Sequence, residues 1–420
     1  MITLRAIGIR SIILSSILTV TSFAGAPAGA KTAHLSPKAH TTARHVHVAA
    51  AAPHAAPHAV RHTVKAAVAP VATTRLVRGA NGRLVRVAVK HRSTERFYAN
   101  SFADDVTSGD VTAGEDPIVR EAAVAALGNM NGTAVAIDPS TGRILAMVNQ
   151  KLALSSGAEP CSTIKLTVAL AALQEGLITR QTPVALGGGY HLNLTEALAH
   201  SNNLYFETLG RSLGFERVKH YANQLGLGEL AGYNIPGEQL GTYPDQELPA
   251  KMGGVGRMCS FGESVSMTPL QLGAIVSAIA NGGTLYYLQH PATADEVATL
   301  EPKVKRTLEI QSLIPEMQDG MLAATTYGTA RSLRANFREF PVMGKTGTCS
   351  NNGTRFGWFG SYADTPNGRI VTVIFLEGGR PTFGPKAAEL TGQFYRGLYD
   401  RKYFEPKPPN SSIASTVNAQ

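Results

Sequence analysis

Within residues 116–405 the strand-like segments fall at the two ends and a long helical stretch fills the middle, a split that leaves few folds open. Thr133-Ala134-Val135-Ala136-Ile137-Asp138 and Arg143-Ile144-Leu145-Ala146-Met147-Val148 read as two strands, joined by Pro139-Ser140-Thr141-Gly142, a turn by composition. Residues 341–348, 355–362 and 369–376 read as three more strands, and 386–399 as a closing amphipathic helix. A helical pattern at 118–127 ends at Asn131-Gly132, and 165–330 is mostly helical. Strands at both ends with helices between them point to an α+β domain. The opening hairpin would complete one antiparallel sheet of about five strands with the last three, flanked by helices, with an all-helical lobe inserted between them.

The N-terminal region is chemically different. Residues 1–96 carry fourteen Lys and Arg against one acid, Glu95, a balance of +13, whereas the remainder holds 25 basic and 29 acidic residues, or −4. The basic pI therefore belongs to the N-terminal region, and no nucleic-acid binding is read into the globular part. Residues 1–30 look like a signal peptide: Arg5 and Arg10 flank the start, 12–23 is a short apolar core, and Ala28-Gly29-Ala30 is a small-residue cleavage site. The alternative is an uncleaved membrane anchor, since 11–30 just reaches the roughly 20 residues a span needs. Either way the chain is expected to be exported.

Residues 31–115 read as a disordered linker, Ala/Pro/His-rich up to residue 72 and basic beyond it. The seven histidines between His34 and His62 show no compact ligand spacing beside cysteine or carboxylate, so no metal site and no cofactor are expected. Arg75-Leu76-Val77-Arg78 recurs as Arg83-Leu84-Val85-Arg86 around Asn81-Gly82, a hairpin signal within 73–90. Its arginines suit anionic wall polymer or lipid headgroups, or form a plain solvated ribbon. Residues 116–405 are the candidate catalytic domain, and 406–420 a disordered tail.

The chemistry is best read from Glu159-Pro160-Cys161-Ser162-Thr163-Ile164-Lys165. Residues three apart on a helix are neighbours, so Ser162 and Lys165 share a face. Pro160 suits a first turn, where its missing N–H costs nothing. A lysine whose pKa is lowered by burial and nearby positive charge can take the serine's proton. The competing reading is a surface helix, but residues 166–173 are apolar nearly all round, as in a helix buried in a domain centre. Two further strings matter: His200-Ser201-Asn202-Asn203 at the start of an apolar helix and Lys345-Thr346-Gly347-Thr348 on an expected strand. Alone, each has a bland reading, as an N-cap or a strand bulge.

In this order, Ser162-x-x-Lys165, Ser201-x-Asn203 and Lys345-Thr346-Gly347 resemble the motif set of penicillin-binding proteins and serine β-lactamases. Over residues 116–405 the chain resembles a penicillin-binding protein transpeptidase domain, with a β-lactamase/transpeptidase-like fold. Framework stretches carry the resemblance too: Ala134, Ile137-Asp138-Pro139, Thr141-Gly142 and Ile144-Leu145-Ala146; Pro236-Gly237-Glu238; Gly262 through Gln271; and Gly328-Thr329-Ala330.

The resemblance implies a peptidoglycan D,D-transpeptidase or D,D-carboxypeptidase acting on D-Ala-D-Ala stem peptides outside the cytoplasm, periplasmic or otherwise extracytoplasmic, and acylated by β-lactams as covalent inhibitors. Ser162 would be the nucleophile, Lys165 its base, and Lys345 a charge that helps keep Lys165 neutral. Ser201 would pass a proton to the leaving amine, and Asn203 would bind the substrate amide. The backbone N–H groups of Ser162 and Thr348 would form the oxyanion hole. Thr346 and Thr348 would offer hydroxyls to the terminal carboxylate, and Gly347 would let the substrate lie close.

Family members usually carry glycine where Cys161 stands. Because the resemblance brings Ser162 and Thr348 to one oxyanion, their neighbours Cys161 and Cys349 are expected close together, as a disulfide or as two buried thiols in contact. Cys259 has no evident partner. Two other functions fit the same motifs. A β-lactamase needs a water-activating base, yet Glu238-Gln239-Leu240-Gly241 lacks the class A string and Asn203 differs from the class D valine. A non-catalytic β-lactam sensor or wall-binding module would not need Ser162, Lys165, Ser201 and Lys345 all intact.

Overall fold

The computed structural model describes residues 74–78, 83–88 and 95–405. The expected signal peptide or anchor, the His-rich segment and the C-terminal tail lie outside the described residues. Among the described residues no helix is long and apolar enough to cross a membrane. The chain divides into two units, residues 1–90 and 91–420. In the first, Thr74–Arg78 pairs antiparallel with Leu84–Ala88, Val77 opposite Val85.

The second unit is built on a five-stranded sheet. Its strands are β1 (Gly132–Asp138), β2 (Arg143–Val148), β3 (Val342–Asn351), β4 (Thr354–Thr365) and β5 (Gly368–Gly378). They lie in the order β2-β1-β5-β4-β3, antiparallel throughout, so the opening hairpin joins the C-terminal meander and β3 is left at an edge. Asn352 and Gly353, both at positive φ, make the two-residue turn between β3 and β4. This is the Asn-Gly chemistry that matches the strands' twist.

Period-two alternation sends each strand's side chains into two cores. Val135 and Ile137 of β1 face the inserted lobe, while Ala134 and Ala136 face α1 (Pro117–Leu127) and the C-terminal helix. Helix α2 (Lys165–Gln174) runs through the lobe with residues 165–173 all buried. After it come α3 (Leu194–Ala199), α4 (Asn203–Leu213), α5 (Gly254–Phe261), α6 (Pro269–Asn281) and α7 (Ile314–Thr326), and α8 (Gly384–Asp400) closes the chain. Helix α6 starts with a capping box between Thr268 and Gln271. It packs on the sheet through residues such as Leu272 and Ile275, in one core with Val371 and Val373 of β5.

Two expectations need correction. The lobe is not all-helical: Val184–Ala185 pairs with His191–Leu192, and Thr284–Tyr286 with Val304–Thr307. These runs are too short for alternation to register. Residues 95–115, assigned above to the disordered linker, pack against the domain instead. Ser101 Oγ accepts the Gly379 N–H at 2.7 Å, Phe102 bridges to Met130, and the Asp110 carboxylate receives Arg120 at 2.6 Å and the Asn149 and Gln150 amides. Their partners lie up to 278 residues away, which no local pattern reveals.

Candidate active site

The site is made where the lobe meets the edge strand. Pro160 leads into a 3-10 turn, Cys161–Ile164, that runs straight into α2. Cys161 takes a left-handed backbone, φ 52°. This conformation costs a non-glycine residue roughly 1–2 kcal/mol, which accounts physically for the glycine expected there in the family. Cys161 is bonded to Cys349 of β3, with Cα atoms 5.5 Å apart. Ser162 follows one cysteine and Thr348 precedes the other, so the two expected oxyanion donors flank a covalent tie. Cys259 is a buried free thiol, pushed up to about 12 by burial.

One turn after Ser162, Lys165 is 0 % exposed, which removes the surface reading. Its Nζ lies 3.0 Å from Ser162 Oγ, 2.8 Å from the Ser201 carbonyl, 3.1 Å from Ser201 Oγ and 2.6 Å from Asn203 Oδ1. The Phe206 ring stands 5.4 Å away. An ammonium has three protons for four acceptors, whereas a neutral amine can donate twice and keep its lone pair for a hydroxyl proton. Burial and then the Lys345 charge drive Lys165 well below the ordinary lysine range, and Glu207 opposes them.

Ser201 sits in a left-handed corner, φ 54°, between α3 and α4. Its neighbour Asn202 does the capping, accepting the Tyr205 N–H at 2.9 Å, which leaves Ser201 and Asn203 free to face inward. Lys345 Nζ donates to Ser201 Oγ at 2.8 Å and to the Thr346 carbonyl at 2.9 Å. Complete burial lowers Lys345 to about 7. Serine, buried amine, second serine and second lysine thus form one unbroken hydrogen-bonded chain, able to move a proton from Ser162 to Ser201.

The remaining expected residues lie on β3 but outside that chain. The Thr346 hydroxyl donates to Thr329 Oγ1 at 2.8 Å, and Thr348 Oγ1 accepts the Gly384 N–H at the head of α8, also at 2.8 Å. Gly347 has a different reason to be glycine than substrate approach alone: a Cβ there would stand 2.8 Å from the Pro160 carbonyl oxygen. Sequence reasoning assigned no individual role to Thr329, Phe206 or Trp358. The Trp358 indole donates to the Glu159 carbonyl at 3.0 Å and stacks on Phe375, and this sole tryptophan of the chain was the one available signal.

An antiparallel sheet whose edge strand meets an inserted lobe at a Ser-Lys-Ser-Lys cluster defines the β-lactamase/transpeptidase-like class of α+β domains. The family model of the penicillin binding protein transpeptidase domain matches residues 132–396, and the chain belongs to that family. Curated relatives include stage V sporulation protein D of Bacillus subtilis, 27% identical over 315 residues that cover 63% of this chain and 48% of the relative. Another is the peptidoglycan D,D-transpeptidase MrdA of Acinetobacter baumannii, 24% identical over 364 residues covering 68% and 53%. The chain therefore spans about half the length of these two relatives. Among solved structures, Pseudomonas aeruginosa PBP2 in complex with WCK 5153 shares the fold at a TM-score of 0.59 with 23% identity, over 71% of this chain and 77% of that one. A D,D-transpeptidase domain from Eggerthella lenta does so at 0.56 with 19% identity, over 78% and 95%.

Proposed function

We propose that this chain is a peptidoglycan D,D-transpeptidase or D,D-carboxypeptidase that works through a Ser162 acyl-enzyme and is acylated by β-lactams. The observation that carries the reading is the wholly buried Lys165 amine, 3.0 Å from Ser162 Oγ and 3.1 Å from Ser201 Oγ, with Lys345 2.8 Å beyond.

Neutral Lys165 takes the Ser162 proton as Oγ attacks the carbonyl of the D-Ala-D-Ala bond. The oxyanion meets the backbone N–H groups of Ser162 and Thr348. Ser201 delivers the proton to the departing D-alanine nitrogen, and Lys165 re-protonates Ser201. Asn203 holds Lys165 through Oδ1, which leaves its amide N–H groups for the substrate peptide. Lys345, Thr346 and Thr348 face the terminal carboxylate at the edge strand, where an extended peptide can add alongside. An amine then attacks the acyl-enzyme to form the cross-link, or water releases the trimmed peptide. Export and an extracytoplasmic site of action belong to this reading, with residues 1–30 as signal or anchor. The Cys161–Cys349 bond holds the nucleophile turn against the substrate strand.

Labelling with a fluorescent penicillin tests the proposal: a persistent adduct, lost in Ser162→Ala, is the expected result. Turnover of the label within seconds would replace the reading with a β-lactamase, and no label at all with a sensor or wall-binding module. Incubation with a pentapeptide, with and without an amine, separates transpeptidation from carboxypeptidation.

A further inference from the structure

Residues 97–102 precede the span matched by the family model, residues 132–396, yet they are tied to the same end of the sheet as Thr348. The Tyr98 N–H donates to the Gly353 carbonyl in the β3–β4 turn at 2.9 Å, and the Asn131 N–H donates to the Ser101 carbonyl at 2.8 Å. Ser101 is only 7 % exposed. Its Oγ accepts the Gly379 N–H at 2.7 Å and the Thr382 hydroxyl at 3.3 Å, so this arm grips the loop 379–383 that joins β5 to α8. Arg355 braces the same loop: it donates to the Arg380 carbonyl at 3.4 Å and stands 5.9 Å from the Phe97 ring of the arm and 5.7 Å from the Phe383 ring of the loop. The loop ends at Gly384, whose N–H donates to Thr348 Oγ1 at 2.8 Å. A Cβ at Gly384 would stand 2.8 Å from the Gly347 carbonyl oxygen, so the loop lies directly against the substrate strand.

The two threonine hydroxyls of β3 are not equivalent. Thr346 spends its proton on Thr329 Oγ1. Thr348 is exposed, and its Oγ1 receives the Gly384 N–H on a lone pair, which leaves its own proton for a carboxylate. We infer, on the strength of the D,D-transpeptidase reading, that Ser101 is a positioning residue for substrate recognition. Through the 379–383 loop it fixes the Gly384 N–H, and that N–H aims the Thr348 hydroxyl at the terminal carboxylate. The backbone of Thr348 does not depend on the arm, because it pairs with Gly357 of β4 and is followed by the disulfide at Cys349. Loosening the arm therefore keeps the oxyanion donor in place and frees the hydroxyl alone.

The test measures second-order rate constants for acylation of the full chain by a penicillin and by its methyl ester, which lacks the carboxylate. Ser101→Ala should slow the free acid by about tenfold, the scale of one hydrogen bond to a charged group, and leave the ester within about twofold of the parent. In a Thr348→Val background, Ser101→Ala should slow the acid no further, because both substitutions remove the same bond. Thr382→Val keeps the shape of its side chain while withdrawing its hydroxyl from Ser101, and should give the same split in smaller measure. It decides the matter if Ser101→Ala fails to fold. An equal loss for acid and ester, no loss for either ligand, or additive losses with Thr348→Val would overturn the role of Ser101. If the parent is acylated by neither ligand, the D,D-transpeptidase reading itself fails.

Discussion

Lys165 Nζ and Asn203 Oδ1 stand 2.6 Å apart, the shortest contact the buried amine makes. An amide oxygen accepts a hydrogen bond but carries no formal charge, so it orients the amine while favouring the ammonium far less than a carboxylate would. Asn203→Asp would place a carboxylate there and restore the ammonium. Acylation by a fluorescent penicillin should then fall by about a hundredfold or more at pH 7, the scale of a lost general base. The loss should shrink as pH rises and Lys165 gives up its proton again. A variant that is slow to the same degree at every pH would show that Asn203 acts on the substrate alone.

Lys345 titrates near neutrality because it is fully buried, and it has to be cationic to attract a carboxylate. Below about 7 it carries its charge, and above that it loses it. The second-order rate constant for acylation by penicillin, which reports the free enzyme, should therefore fall above pH 7 by up to about tenfold per unit. Lys165 is lowered too, by burial and then by the Lys345 charge, so the part that belongs to Lys345 is read from the difference between ligands with and without a carboxylate. A penicillin methyl ester, lacking the carboxylate, should lack that fall over the same window. Equal slopes for acid and ester would remove Lys345 from carboxylate recognition.

The bond from Cys161 to Cys349 closes a separation of 188 residues, and Cys161 also occupies a left-handed backbone. The two effects can be separated. In a Cys349→Ser background, where no bond forms, Cys161→Ala keeps the backbone penalty and Cys161→Gly removes it. Denaturant unfolding should find the glycine variant about 1 kcal/mol more stable than the alanine one. Both should lie below the unreduced parent by about 2–5 kcal/mol, the usual loss when a native disulfide is removed. Identical stabilities for glycine and alanine would mean that the turn relaxes once untied.

How much of this was legible in the chain depends on the range of the interaction. The five strands of the main sheet and α1 and α8 follow from local pattern, α2 from its all-round apolar run, and the shared face of Ser162 and Lys165 from helical spacing, because each is decided within a few residues. The packing of residues 95–115 is not local: Asp110 is fixed by Arg120 and by amides of Asn149 and Gln150, and Ser101 by Gly379. The same holds in the site. That Asn203 serves Lys165 and that Thr346 meets Thr329 both depend on segments brought together by the sheet and lobe. Motif spacing names such residues without saying which way they face.

Gly347 is the position where this difference has the sharpest consequence. Its place beside Lys345 suggests room for a substrate, but a Cβ there would also meet the Pro160 carbonyl oxygen at 2.8 Å and Thr163 Cγ2 and Trp358 Cβ at 3.2 Å. The nearest of these is backbone, and the disulfide two residues away at Cys349 resists any retreat of the nucleophile turn. Gly347→Ala should therefore destabilise the domain by about 1–3 kcal/mol, as overpacking does, and should slow acylation because Ser162 moves with Pro160. Reduction of the disulfide should recover part of the stability difference between Gly347→Ala and its parent, since the turn is then free to yield. If the variant instead melts with the parent and loses only affinity for the peptide, the glycine serves substrate approach, and the turn has slack that its contacts do not reveal.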